Sequence, residues 1–235
     1  MSKNPSAHPE EPHRSHRSNW LRAGVLGADD GIVSTSSLML GVLAASSSRP
    51  AILTAGIAGL AAGALSMAVG EYVSVSSQRD SERADLAMEK RSLEENPKEE
   101  LAELAAIYES RGLDKKLAGQ VAEQMHRHDA LDAHARDELN LDQGALVSPL
   151  QAAAASAVAF SVGATVPILA AFFSKGHADG PILVIASLTA LAITGVTGAY
   201  IGGGHRMRAA SRVFFGGGAA MAITAFIGHL VGMAV

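Results

Sequence analysis

The chain has 235 residues, of which 48% are hydrophobic and 18% charged, with a formal net charge of −4 and no cysteine. Zero cysteine excludes a disulfide scaffold, a Cys-type zinc site, an iron–sulfur cluster and a thiol nucleophile. Net acidity with only 4% aromatic residues argues against a nucleic-acid partner. Charge is unevenly spread: 17 of the 23 acidic residues and 10 of the 19 Lys and Arg lie between Ser76 and Asp142, a block of net charge −7. The flanking sequence is rich in Ala, Gly, Val, Ile and Leu, so a polar insert interrupts a chain that otherwise belongs in lipid.

Residues 1–20 have no apolar core of the kind a secretory signal needs, and read as a disordered cytosolic tail carrying His8, His13 and His16. A membrane-crossing helix needs roughly 20 apolar residues. Five segments qualify: Leu21 to Ala45, Ala51 to Val73, Leu146 to Phe173 with Pro167 as an internal kink, Pro181 to Ile201, and Val213 to Val235. The expected fold is therefore all-α and polytopic. Residues 21–75 hold spans one and two, 76–142 a cytosolic helical domain, and 143–235 spans three to five. Lys3, Arg14, Arg17, Arg22, Arg206, Arg208 and Arg212 fall on one side of this topology, and only Arg49 and Lys175 on the other. The asymmetry predicts a cytosolic N-terminus and an external C-terminus.

Three helices are expected in the polar insert. Ser74 to Glu95 continues the second span until Asn96-Pro97 breaks it. Lys98 to Arg111 follows, with Leu101, Leu104, Ile107 and Tyr108 on one face, and Gly112 ends it. Asp114 caps the third, which runs to about Leu139 with Leu117, Val121, Met125, Leu131, Ala135 and Leu139 inward. Such a small core invites support from dimerisation or bound metal.

An ionised Asp inside a bilayer costs roughly 2.5–3.5 kcal/mol on insertion scales, so each one demands a reason. Asp30 lies roughly 12 Å along span one from its cytosolic end, and Met67 about 9 Å from the cytosolic end of the antiparallel span two. Glu71 stands one turn beyond Met67 on the same face, while Asp29 is one residue off the Asp30 face and reads as structural. A carboxylate and a thioether at one depth suit a transition-metal dication and disfavour Mg2+ and Ca2+. Read singly, Met67 is a packing residue, whereas the cost of a buried charge at Asp30 favours a metal role over a capping or helix–helix hydrogen bond. In the polar insert, Glu89, Glu99, Glu100, Glu103, Glu123, His126, His134, Asp137 and Glu138 offer oxygen and imidazole ligands on converging helices, or simply solvated acidic faces. Glu123 and His126 make one Glu-x-x-His pair, whereas a ferritin-like diiron centre needs two, so oxidase chemistry is not expected. The glycine runs 202–204 and 216–218 lack the phosphate-binding loop pattern, which argues against direct ATP drive.

Two segments carry a resemblance: Asp29-Asp30-Gly31-Ile32-Val33-Ser34-Thr35 with Leu38-Met39-Leu40-Gly41-Val42, and Ala64-Leu65-Ser66-Met67-Ala68-Val69-Gly70-Glu71-Tyr72-Val73-Ser74. They resemble the signature of the vacuolar iron transporter family, over nearly the whole chain after residue 18. The resemblance implies a non-enzymatic homodimer with no cofactor. It would export Fe2+, or Mn2+ in some members, from the cytosol in exchange for protons, here across a bacterial plasma membrane. It assigns a pathway to Asp30, Met67 and Glu71, and cytosolic metal ligands to Glu89, Glu100, Glu103 and Glu138. Two positions depart from the family pattern: Ser92 replaces a glutamate, and His134-Ala135 replaces a methionine pair, with His134 a substitute ligand. A metal sensor or store, or a passive divalent-metal channel, is the alternative reading.

Overall fold

The computed structural model describes residues 18–45, 48–141, 148–174 and 179–234. Expectations for Lys3, His8, His13, Arg14, His16, Arg17, Lys175 and the start of span three at Leu146 fall outside these residues. The described residues form seven helices: α1 (Ser18–Ala45), α2 (Arg49–Glu95), α3 (Pro97–Ser110), α4 (Lys115–Asp137), α5 (Pro149–Phe173), α6 (Asp179–Gly202) and α7 (Arg206–Ala234). No strand occurs among them. The chain divides into two compact units, one of Met1–Gly70 with Ala153–Val235, the other of Glu71–Ala152.

In the first unit α1 packs against α6 and α7, and α6 against α7. Glycine lets backbones meet: a Cβ at Gly228 of α7 would strike the Gly41 carbonyl of α1, and between α1 and α5 a Cβ at Gly31 would strike the Phe160 carbonyl and one at Gly163 the Ala28 carbonyl. Met39, Leu40, Ile52, Ala171, Leu183 and Met221 form the apolar centre. Arg49 donates to the Phe172 carbonyl, satisfying the open C-terminal end of α5. Four described helices, α2, α5, α6 and α7, are long and apolar enough to cross a membrane. α1 has the length, at 28 residues, but Asp29, Asp30 and the run Ser34-Thr35-Ser36-Ser37 dilute its apolar character.

Several boundaries move from those expected. Ser18, Asn19 and Trp20 belong to α1 rather than to a tail, and α2 starts at Arg49, with Pro50 in a first turn that needs no amide donor. α7 begins at Arg206, placing Arg206, Arg208 and Arg212 on helix rather than in a connector. The helix of α5 runs on through Pro167.

In the second unit α3 and α4 form a hairpin around Leu104, Tyr108, Ala118, Ala122 and Ala133. Gly112, at φ +102, takes the left-handed turn between them, and the Asp114 carboxylate caps α4 by accepting from the amides of Lys116 and Leu117 at 3.0 Å. Leu117 is not inward as expected: it is 43% exposed, and Ala118 behind it is fully buried. Small residues let α3 and α4 approach closely, which turns the contact face by one position. α4 also breaks at Asp129, whose φ of −160 is extended, and restarts with Asp129 Oδ1 accepting from the Asp132 amide at 3.0 Å. It ends at Asp137, short of Leu139.

Candidate metal sites

In the first unit a cavity of about 220 Å³ is lined by Asp30, Ser34, Thr35, Leu38, Gly59, Gly63, Ser66, Met67 and Phe160. Helical spacing puts Asp30 and Ser34 on one face of α1, while Ser66 and Met67 come from α2. Gly59 and Gly63 open the space, since a Cβ at Gly63 would fall on the Phe160 ring. The carboxylate and thioether expected to share a depth thus share a cavity. Thr35, which motif reading left without a role, adds a hydroxyl: its Oγ1 is buried without a hydrogen-bond partner. Glu71 is half-buried one turn farther along α2, in the other unit.

Asp29 goes elsewhere. It accepts a hydrogen bond from Thr194 Oγ1 on α6 and lines a different cavity, of about 550 Å³, with His205, Arg208 and Arg212. Two arginines line that cavity, which makes it poorly suited to a cation, and the bond of Asp29 to α6 fits the structural role expected from sequence.

In the second unit Glu89 of α2, Glu100 of α3, His134 of α4 and Glu138 at the end of α4 each place one ligand atom within 4.8 Å of the others. His134 Nδ1 lies 3.0 Å from Glu89 Oε1, 3.0 Å from Glu138 Oε2 and 4.0 Å from Glu100 Oε2. His134 is completely buried and Glu89 nearly so. One Nδ1 proton cannot serve both near carboxylates, and Glu89 Oε1 is left buried with no hydrogen-bond partner. Burial pushes the Glu89 carboxyl above its ordinary range; Glu138, Glu100 and Glu103 push the same way and His134 opposes them. Three carboxylates around one imidazole are short of positive charge, a deficit that a divalent cation meets directly.

Glu103 is exposed and stands outside the four-residue group, though its charge reaches Glu89. Asp137 turns away to accept from Tyr108 Oη at 2.7 Å and from Arg111. Burial alone would raise its carboxyl, but those two partners outweigh burial and hold it below the usual range. Tyr108 is correspondingly pushed up to about 12 by burial and by Asp137. Periodicity alone places Tyr108 on an apolar face and carries no sign of this tie between the C-terminal ends of α3 and α4. Glu123 is exposed and pairs with Arg127 at 3.6 Å, so it does not converge with His126.

The VIT family profile matches residues 21–229. A protein of Acanthamoeba castellanii called "Vacuolar iron transporter" is 45% identical over 224 residues, covering 94% of this chain and 82% of that one. "Vacuolar iron transporter homolog 5" of Oryza sativa subsp. japonica is 42% identical over 224 residues, covering 95% and 86%. "Vacuolar iron transporter homolog 2" of Arabidopsis thaliana is 40% identical over 220 residues, covering 93% and 88%. A family match and relatives of this closeness, on an all-helical chain with membrane-length helices, make this integral membrane protein a member of the VIT family.

Proposed function

We propose that the protein carries Fe2+ out of the cytosol in exchange for protons, with Mn2+ as a second substrate. The observation that carries this reading is the meeting of Asp30 and Met67 in one cavity between membrane-length helices. The hard oxygen gives affinity for a dication, the thioether favours Fe2+ over Mg2+ and Ca2+, and Ser34, Thr35 and Ser66 supply further oxygens. The relatives' names support iron as the cargo.

α1 is taken as a fifth span, its two aspartates tolerated because each faces a cavity rather than lipid. The segment 76–142 is then the cytosolic domain, and the N-terminus is cytosolic. Ions collect at Glu89, Glu100, His134 and Glu138, with Glu103 adding negative potential, pass Glu71, and are held by Asp30 and Met67. A second copy of the chain would complete the pathway: Ile57, Leu65 and Val69 of α2 are more than half exposed, an apolar face suited to a homodimer. The proposed location is a bacterial plasma membrane.

Fe2+ uptake into sealed proteoliposomes tests the pathway. Wild type is expected to load the vesicles, and Asp30→Ala to match empty vesicles while still running as a dimer. Wild-type uptake by Asp30→Ala would overturn the assignment.

A further inference from the structure

His134 turns Nδ1 toward the carboxylates, while its Nε2, on the other edge of the ring, is buried with no hydrogen-bond partner. Nδ1 of His126 is buried and unpartnered as well. In an unbroken helix, positions eight apart stand about 12 Å apart along the axis. The extended residue Asp129 lies between these two, and their rings meet edge to face with centroids 6.1 Å apart and planes at 77°. Buried imidazole nitrogens are ordinarily satisfied by protein, water or metal, so two orphans on neighbouring rings call for a common partner.

We propose that His126 Nδ1 and His134 Nε2 form a second divalent-cation subsite beside the carboxylate cluster, fitted to a borderline ion such as Zn2+. Two imidazoles bound to one tetrahedral ion at about 2.0–2.1 Å hold their centroids about 5 Å apart. The rings stand 6.1 Å apart in the ion-free chain, so closing on an ion asks each to move by about half an ångström. Glu138 Oε2, 3.0 Å from His134 Nδ1, is placed to accept the Nδ1 proton, which leaves the lone pair on Nε2. A carboxylate that orients a histidine in this way is the usual support of a metal-bound imidazole.

Imidazole favours Zn2+, Ni2+, Co2+ and Fe2+, whereas Mn2+ and Mg2+ prefer the carboxylates. The ring is also shared: an ion on Nδ1 requires the proton on Nε2, and an ion on Nε2 requires it on Nδ1. Occupation of one subsite through His134 therefore excludes occupation of the other through the same ring. The inference shares His134 with the cytosolic site proposed above, but does not depend on the transport cycle.

The test is equilibrium dialysis of the full-length protein in detergent against Zn2+ and, separately, Mn2+. Wild type is compared with His126→Ala, His126→Gln and Glu100→Gln, with helical content checked by circular dichroism. Zn2+ bound outside these two subsites is common to all four proteins and cancels. Both His126 variants are expected to bind the His134-linked Zn2+ at least tenfold more weakly, since only the carboxylate subsite is left to it, with Mn2+ binding unchanged. Glu100→Gln is expected to weaken Mn2+ binding and to keep that Zn2+. Wild-type Zn2+ binding in a folded His126 variant would overturn the subsite. If Zn2+ is then lost only in Glu100→Gln, the carboxylate site stands and the imidazole pair holds no ion.

Discussion

The cavity at Asp30 and the cluster at His134 are built in opposite ways. In the first unit one carboxylate enters each cavity, and backbones in contact at Gly31 and Gly163 set the geometry. In the second, three carboxylates crowd one buried imidazole, held by a core made largely of alanine. A single charged ligand among neutral donors suits a place an ion must leave, because every added negative charge deepens the well. A dense cluster suits capture of a scarce ion from water. On the proposed reading, the number of charged ligands, more than the number of donors, separates passage from capture in this chain.

Breaking each site in the same flux assay sharpens the comparison. The largest effect is expected from Asp30→Ala, which should reduce iron flux to background, whereas His134→Ala should leave flux measurable at saturating iron. Equal loss in both variants would merge the two roles. Next comes Gly163→Leu, whose side chain has no room against the Ala28 carbonyl. It should destabilise the first unit by about 1–3 kcal/mol or more, seen as a lowered Tm, and reduce flux by displacing α1 from α5. Glu138→Gln removes one ligand from the cluster and should weaken Mn2+ binding about tenfold or more without moving Tm downward, since it relieves repulsion on Glu89.

The smallest effect is expected at the Tyr108–Asp137 tie. Tyr108→Phe should lower stability by about 1 kcal/mol, the ordinary net worth of a hydrogen bond. Because the Tyr108 hydroxyl is raised to about 12 in the folded chain, its contribution is full below the ordinary value of 10.0 and is lost as pH rises through about 12. Asp137 has the opposite sign: its carboxyl is lowered, so its contribution is present above the ordinary value and lost as pH falls through the lowered one. Denaturation of wild type and Tyr108→Phe across the alkaline range should therefore converge at high pH.

Much of this arrangement is written in local pattern. Long apolar runs announced the membrane helices, Asn96-Pro97 and Gly112 marked the ends of α2 and α3, and Asp114 announced a cap that is present. The convergence of Glu89, Glu100, His134 and Glu138 was legible through the resemblance, and the residue types alone left it as one of two readings. Three features were hidden because they depend on tertiary contact. The break at Asp129 has no proline or glycine to signal it, and arises where an aspartate caps a new helical segment. The inward face of α4 shifted from Leu117 to Ala118 because close packing favours the smaller side chain. Thr35 carries no charge to draw notice, and only the shape of the cavity gives it a place.

The central claim is that iron crosses through the Asp30 cavity in exchange for protons. Its most direct test is Fe2+ uptake into sealed proteoliposomes with and without an imposed proton gradient, reading internal pH in parallel. The account predicts iron entry accompanied by proton exit, faster with the lumen acidic and absent in Asp30→Ala. Iron entry at the same rate with no pH change would contradict exchange and describe a passive channel.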